Sequence, residues 1–211
     1  EQSFAGSLAT IMSLAMEVHE RKKSDEALRM REEHLLAIID AEPECVKLVA
    51  ADGTLLEMNR SGLAMIEADS WHVVAGRSVF RLIAPEYLQS FTAMHQRVCQ
   101  GEPQTLEFEI IGLKGTRRFM ETHAVSLRYG LSGAVAHLAV SRDITEHKRA
   151  EKALRLAEEQ YRSIFENAVE GIFQTTLDGR YLSANPALAR LYGYESPEEM
   201  IESVMDIRRQ V

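Results

Sequence analysis

The chain has 211 residues, of which 45% are hydrophobic and 27% charged, and these proportions are typical of one or two globular domains. Its 24 Lys and Arg against 32 Asp and Glu give a net charge of −8, which argues against nucleic-acid binding, because that needs clustered cations facing phosphates. No run of 18 apolar residues is present, so we expect no membrane span. Because the sequence opens without Met, we interpret it as a fragment of a longer protein.

The two cysteines, Cys45 and Cys99, lie 54 positions apart and form neither a zinc-ligand spacing nor a disulfide framework. We interpret them as free thiols in a reducing compartment, which predicts a cytoplasmic location.

The predicted elements begin with a helix whose apolar residues keep a 4-3-4-3 spacing from Phe4 to Val18 and lose it at Lys22. Strands over 46–49 and 54–58 flank an Asp52-Gly53 turn, and helices over 60–66 and 85–100 follow. Three more strands, over 105–111, 117–127 and 134–143, are separated by turns at Lys114-Gly115 and Ser132-Gly133. This order predicts an α+β fold, in which helices cover one face of a five-stranded antiparallel sheet.

The last predicted helix carries apolar residues at spacings of 4, 3, 4, 3 and 4. They are Ala150, Leu154, Ala157, Tyr161, Ile164 and Ala168, which we call the seam. Such a seam is typical of a two-helix contact, and a homodimer through the flanking helices is one interpretation. An ordinary amphipathic helix packed on its own domain is the other, and the sequence leaves both open.

An internal repeat organises these elements. A shift of 126 positions places residues 20–29 on 146–155, Asp52-Gly53 on Asp178-Gly179, and Asn59 on Asn185. Between residues 20 and 66, 13 of 47 ungapped pairs are identical. We therefore predict a signalling helix over 1–34, a complete domain over 35–143, a linker helix over 144–165 and an incomplete second domain over 166–211.

The element order and its motifs resemble a PAS domain with its PAC segment. The resemblance is carried by Asp52-Gly53, Asn59, Gly76-Arg77, Lys114-Gly115 and the exit motif Asp143-Ile144-Thr145-Glu146-His147-Lys148. The second copy is similar to the start of another PAS domain through Glu170-Gly171, Asp178-Gly179-Arg180, Asn185 and Tyr192-Gly193-Tyr194. Residues 1–20 faintly resemble the last helix of a GAF domain.

This resemblance implies a non-catalytic sensory segment of a bacterial signal-transduction protein, with its output domain in the same chain. The output would be a histidine kinase, so that the parent protein would be an enzyme. The alternatives are an input segment of a cyclic-di-GMP synthase or phosphodiesterase (GGDEF/EAL) and a purely structural dimerisation module. The residues expected to transmit a signal are Asp143, Ile144, Thr145, Leu154, Ala157 and Tyr161.

The residues that bind flavin or haem in other PAS domains can be compared with the same positions of this sequence. Light-sensing flavin proteins of the family carry a reactive Cys where Val79 stands here, and a Gln where Ser141 stands. Haem-binding members carry a His at the position of Ser90, and His95 lies roughly half a helical turn out of phase with it. We therefore expect neither flavin nor haem, no metal site and no catalytic residue, and leave a small apolar ligand as an option.

A pocket is predicted between the sheet and the long helix. Strand alternation places one set of side chains on the same face, and the PAS resemblance implies that this is the inner face, with His123 on the outer face. The candidate pocket residues are Phe91, His95, Val98, Leu106, Phe108, Ile110, Met120, Thr122, Ala124, His137, Ala139 and Ser141. They form either a ligand cavity with polar handles or a packed core without ligand, and we slightly favour the packed core.

Overall fold

The computed structural model describes residues 2–130 and 133–204, with side chains from residue 19 onward. The chain divides between Thr145 and Glu146 into two compact units. In the first unit, one long helix, α1, spans Gln2–Ala41. It continues past the boundary predicted at residue 34, because no proline interrupts it before Pro43. The apolar side chains from Phe4 to Val18 lie outside the described ones, and the GAF resemblance of residues 1–20 stays a prediction.

The first unit contains the predicted five-stranded antiparallel sheet. Its strands are β1 (Cys45–Ala50), β2 (Leu55–Met58), β3 (Gln104–Ile111), β4 (Arg117–Tyr129) and β5 (Ala134–Asp143). They lie side by side in the order β2-β1-β5-β4-β3, so the last strand in sequence is the middle strand of the sheet. The predicted turn at Ser132 falls outside the described residues, and Gly133 beside it adopts a positive φ of 63°.

Two helices and three short 3-10 turns connect β2 to β3. Helix α2 spans Arg60–Met65 and helix α3 spans Leu88–Cys99. Residues Pro85–Tyr87, predicted as the first turn of α3, instead form a 3-10 turn, in which the missing N–H of proline costs nothing. The apolar face of α3 packs Phe91, Met94 and Val98 into the core against the inner face of the sheet.

The Asp52-Gly53 turn joins β1 to β2, as predicted. Thr54 donates its backbone N–H to Asp52 Oδ1 at 2.9 Å, and Gly53 has a φ of 86°, which favours glycine. A Cβ atom at Gly53 would lie 2.2 Å from the ring of Phe80, so this turn also needs glycine for space.

Helix α4 spans Thr145–Asn167 and begins one residue after β5 ends. The helix predicted over 144–165 therefore begins one residue later and ends two residues further along the chain. The second unit continues with β6 (Phe173–Thr175), β7 (Tyr181–Ala184), α5 (Pro186–Tyr192) and α6 (Pro197–Ser203). Its small core contains Ala184, Leu188, Met200 and Val204.

The 126-residue repeat is reproduced in the strand pairing of the two units. Lys47 pairs with Met58 in the first, and Phe173 pairs with Ala184 in the second, each exactly 126 positions later. Both hairpins carry a register shift at the equivalent position, after Leu48 and after Gln174. The two copies of the sequence therefore fold into the same hairpin with the same irregularity.

Asn59 and Asn185 form matching hydrogen-bond hubs in the two units. Asn59 Oδ1 accepts from the backbone N–H groups of Val46 and Gly62, and its Nδ2 donates to the carbonyl of Glu44. Asn185 makes the equivalent bonds, again 126 positions later, to Ile172, Leu188 and Glu170. Each asparagine thus caps the helix that follows the hairpin and ties it to the first strand.

We expect Asn59→Ala to lower the free energy of unfolding of the first unit by about 2–4 kcal/mol, because it leaves buried backbone groups unpaired. Trp71 is the single tryptophan and packs against the first core, so its fluorescence during urea unfolding reports that unit. Asn185→Ala is the matched control and should leave the Trp71 midpoint unchanged. Equal shifts of that midpoint in both variants would contradict the assignment.

Candidate functional site

The inner face of the sheet and helix α3 bring the predicted pocket residues together in the first unit. Eleven of the twelve are buried, and Leu106 is half-buried. His137 has no exposed surface, whereas His123 on the neighbouring strand is exposed, so the predicted alternation of the two histidines is confirmed. Burial by itself does not make these residues a binding site, and that role stays a prediction.

A cavity of about 30 Å³ lies within this core. It is lined by five of the predicted residues, namely Phe91, Phe108, Ile110, Met120 and Ser141. Val98, Ala124 and Ala139 instead belong to the packed core, while Thr122 and the two histidines lie in a polar strip beside it. The volume is about that of one water molecule, so most of the predicted pocket is filled by side chains.

Sequence reasoning missed Lys47, which lines the same cavity and is only 6% exposed. Lysine is almost never buried without a partner, and a lysine within a strand is expected to point to solvent. The signal was present in the alternation of β1, because Cys45 and Val49, two positions away on either side, are both buried inner-face residues. The other lining residues were also missed, and they form the rest of the wall: Cys45, Met58, Met65, Ile66, Val79, Leu82 and Ile83.

A chain of hydrogen bonds links Lys47 to two neighbouring strands. Lys47 Nζ donates to Ser141 Oγ on β5 at 2.5 Å, and Ser141 Oγ lies 2.6 Å from Thr122 Oγ1 on β4. Among the described residues, no carboxylate forms an ion pair with Lys47. Burial raises the pKa of the Cys45 thiol, although the Lys47 charge opposes that rise, so Cys45 is not an anionic partner either.

The two buried histidines form a second polar contact, between α3 and β5. Their Nδ1 atoms lie 2.9 Å apart, and His95 Nε2 lies 3.2 Å from the carbonyl oxygen of Ala51 in the β1–β2 turn. A carbonyl only accepts, so His95 Nε2 is the donor, and the Nδ1 of a neutral His95 must then accept. His137 Nδ1 therefore donates, which leaves its Nε2 as a buried acceptor with no partner among the described residues.

This arrangement favours a neutral His137. Burial, with the charge of the nearby Lys47 adding to it, lowers the pKa of His137 from 6.5 to about 3. A proton on His137 Nε2 would turn this atom into a buried donor that has no acceptor among the described residues. We call the group formed by Lys47, Ser141, Thr122, His95 and His137 the polar strip.

The end of β5 is fastened to the start of α4 by a contact that we call the exit latch. Asp143 Oδ2 forms an ion pair with Arg118 at 2.8 Å, and Asp143 Oδ1 accepts from the backbone N–H of Thr145 at 2.9 Å. Thr145 Oγ1 accepts from the backbone N–H of Phe119, also at 2.9 Å. Burial opposes the ionisation of Asp143, but the bonds from Thr145 and Arg118 outweigh it and lower its pKa.

The latch is not a reciprocal capping box, in which the Glu146 carboxylate would accept a backbone N–H at the start of α4. Glu146 Oε1 accepts from Arg149 at 2.7 Å, so its carboxylate pairs along the helix surface. The three predicted transmission residues at the strand end nevertheless meet in one place. The backbone N–H of Ile144 donates to Phe119 at 2.9 Å, beside the bonds of Asp143 and Thr145.

Within the described ranges, no group of three or more His, Cys, Asp or Glu side chains is placed to hold a metal ion. Likewise, no helix in the part of the chain searched is both long and apolar enough to cross a membrane.

Comparison with known families agrees with this geometry. A family model described as "PAS fold" matches residues 39–149, more than half of the chain, and a model described as "PAS domain" matches residues 159–210. The chain belongs to the PAS family. The predicted resemblance and fold class are thereby confirmed, and the cavity lies within the PAS domain of the first unit.

The individual proteins that resemble this chain share about a quarter of its residues or fewer. Sporulation kinase E of Bacillus subtilis (strain 168) is 24% identical over 196 residues, which cover 93% of this chain and 26% of the relative. The chain therefore spans about a quarter of the length of this kinase. The PAS domain of an HTR-like protein from Haloarcula marismortui has a TM-score of 0.51 and 25% identity, covering 58% of this chain and 99% of that structure. A PAS domain from Colwellia psychrerythraea has a TM-score of 0.48 and 20% identity, over 57% and 98%.

We expect the PAS domain to lose stability as the pH falls below 6.5, because unfolded His137 binds a proton there and folded His137 does so only near pH 3. Between pH 8 and pH 5 the free energy of unfolding should fall by about 2 kcal/mol. This pH range lies above the ordinary pKa values of Asp and Glu, so carboxylate titration contributes little. His137→Asn keeps a donor near the Nδ1 position and should remove this loss of stability. The free energy of unfolding is measured by urea titration, with Trp71 fluorescence as the readout. His123→Asn on the outer face should keep it, and an unchanged pH dependence in His137→Asn would contradict the assignment.

Proposed function

We propose that this chain is the sensory input segment of a cytoplasmic signal-transduction protein whose output domain, in the same longer chain, is a histidine kinase. The segment would contain one complete PAS domain, a signalling helix and the start of a second PAS domain. Membership of the PAS family supports the sensory role, and the similarity to a kinase over 93% of this chain supports the kind of output. The matching hydrogen-bond hubs of Asn59 and Asn185 support a second PAS domain.

The exit latch is the observation that carries this proposal. A change in the core would act on Ser141 and His137, which both lie on β5. Ser141 is two residues before Asp143, whose carboxylate bonds the first residue of α4. A shift of the end of β5 would therefore change the first turn of the helix, since no flexible loop separates them.

We further propose that the segment is a homodimer held by its helices. In α4, Leu154, Tyr161 and Ile164 of the seam are 62%, 57% and 67% exposed. The residues 126 positions earlier in α1, Leu28, Leu35 and Ile38, are also more than half exposed. Large apolar side chains at heptad spacing on two exposed helices are typical of a two-helix contact, which a second copy of the chain would bury.

A structural dimerisation module without ligand is the second candidate. The observation that favours it is the size of the cavity, about 30 Å³, because an already filled core needs no ligand to be stable. Both candidates require the helical seam, and they differ in whether the core responds to a small molecule.

Leu154→Glu is expected to weaken dimerisation at least tenfold, because it places a charge in the seam. Leu156→Glu is the matched control: Leu156 is also exposed on α4, but it lies two residues along, away from the seam. Sedimentation equilibrium should show more monomer for Leu154→Glu alone, with unchanged Trp71 fluorescence. A dimer unaffected by Leu154→Glu would place the contact elsewhere.

Thr145→Val tests the latch. It removes the hydroxyl that accepts from the N–H of Phe119 and donates to Asp143, while keeping the shape of the side chain. We expect amide hydrogen exchange to become at least tenfold faster at Phe119 and in the first turn of α4, because an exchange-protecting bond is lost. Thr145→Ser keeps the hydroxyl and should exchange like the parent. Equal protection in Thr145→Val would mean that this hydroxyl does not couple the strand to the helix.

A further inference from the structure

Lys47 is a buried cation for which the described part of the chain provides no counter-charge. It lies on the inner face of β1 and pairs with Ala139 of the middle strand, at the centre of the sheet. An ammonium has three hydrogen-bond donors, and Ser141 is the one acceptor found for it among the described residues. Ser141 and Thr122 are neutral, so the hydroxyl chain satisfies a donor without balancing the charge. An isolated charge in an apolar core is expensive, which makes an anion the chemically fitting partner.

The cavity beside Lys47 restricts what that anion can be. Apart from Lys47 and Ser141, every residue lining it is apolar or a protonated thiol. A second charged or strongly polar group on the ligand would therefore meet no partner there. The volume of about 30 Å³ is that of one water molecule, so an alkyl chain can enter only if the lining side chains move. Three methionines, Met58, Met65 and Met120, form part of the wall, and their flexible side chains can repack around a few methylene groups.

We propose that this cavity binds a small aliphatic monocarboxylate, with the carboxylate on Lys47 Nζ and Ser141 Oγ and the short alkyl chain among the three methionines. The proposal rests on the sensory function proposed above and names the ligand class of that same core. The bound carboxylate would balance the Lys47 charge. It would also compete with Thr122 for the Ser141 hydroxyl, two residues before the exit latch.

The second unit provides an internal comparison for this assignment. The position equivalent to Lys47 is Phe173, which contacts the ring of Tyr181 edge-on at 5.5 Å. The same hairpin therefore accommodates an apolar residue where the first unit has a lysine. The lysine is therefore not needed to form this hairpin.

The test uses the full 211-residue chain, with methionine methyl groups labelled for NMR. Sodium butyrate is the probe, with butyramide as the isosteric neutral control and sodium chloride as the control for ionic strength. We expect butyrate to shift the Met58, Met65 and Met120 methyl signals saturably, with a dissociation constant of about 1 mM or tighter. Butyramide should bind about 10- to 100-fold more weakly, because a charged hydrogen bond is lost.

Two variants make the test specific. Lys47→Met keeps the length of the side chain without its charge and should weaken butyrate binding by about 10- to 100-fold. Ser141→Ala keeps the charge, removes the other partner and should weaken binding by about fivefold or more. If butyrate and butyramide bind equally, if Lys47→Met binds butyrate as the parent does, or if chloride produces the same shifts, the proposal is overturned.

The amide signals of α4 separate this proposal from the proposed function. Butyrate binding at the methionines without any change at Thr145 or beyond would support the ligand site and contradict signal transmission through the latch. No butyrate binding, together with a dimer that Leu154→Glu disrupts, would overturn the ligand class and leave the structural dimerisation module in place.

Discussion

The rest of this structure depends on the position of β5, which is the middle strand of the sheet and leads after one residue into α4. Its register is fixed on both sides, by pairing of Ser141 with Cys45 on β1 and with Thr122 on β4. A slip of one residue would turn Ser141 and His137 outward and place Leu138 and Val140 in the core. The inner polar strip and the exit latch are therefore set by the same register of β5.

The polar strip is unusual because it lies within an otherwise apolar core. Phe91, Phe108 and Val98 pack around it with almost no exposed surface, so its groups cannot exchange their partners for bulk water. Every bond in it joins different elements: Lys47 and Ser141 join β1 to β5, and His95 and His137 join α3 to β5. Such bonds are strong in a low-dielectric interior, and leaving one of their groups unpaired is costly. Loss of one of these bonds would therefore weaken the contact between two elements of the core.

Much of this architecture could be predicted from the sequence, because the relevant signals are local. The Asp52-Gly53 turn, the alternation of Leu106, Phe108 and Ile110, and the repeat of Asn59 at Asn185 each determine structure within a few residues. The alternation also oriented His137 and His123 correctly. The end of α1 was predicted seven residues too early, because the resemblance was used to set a domain boundary where the chain itself has no helix breaker before Pro43.

The site was predicted less well, because its members meet through tertiary packing. That His95 and His137 bond each other depends on the helix α3 lying over β5, which no spacing in the sequence encodes. Lys47 was missed since a charged residue in a strand predicts a solvent-facing position, and the buried neighbours Cys45 and Val49 were given less weight than its charge. The cavity volume likewise follows from how side chains fill the space between layers, which composition does not determine.

Comparison of the two units shows that the shared hairpin does not depend on the side chain at the position of Lys47. The shared frame consists of the backbone pairing of each hairpin and the bonds of Asn59 or Asn185, and none of these involves an inner-face side chain of the first strand. Lys47 in one unit can therefore correspond to Phe173 in the other while the register and its bulge are kept. Because the hairpin forms with either residue, the backbone pairing does not require the burial of Lys47, and the free-energy cost of that burial has to be offset by contacts of its amine within the core of the first unit, such as the bond to Ser141.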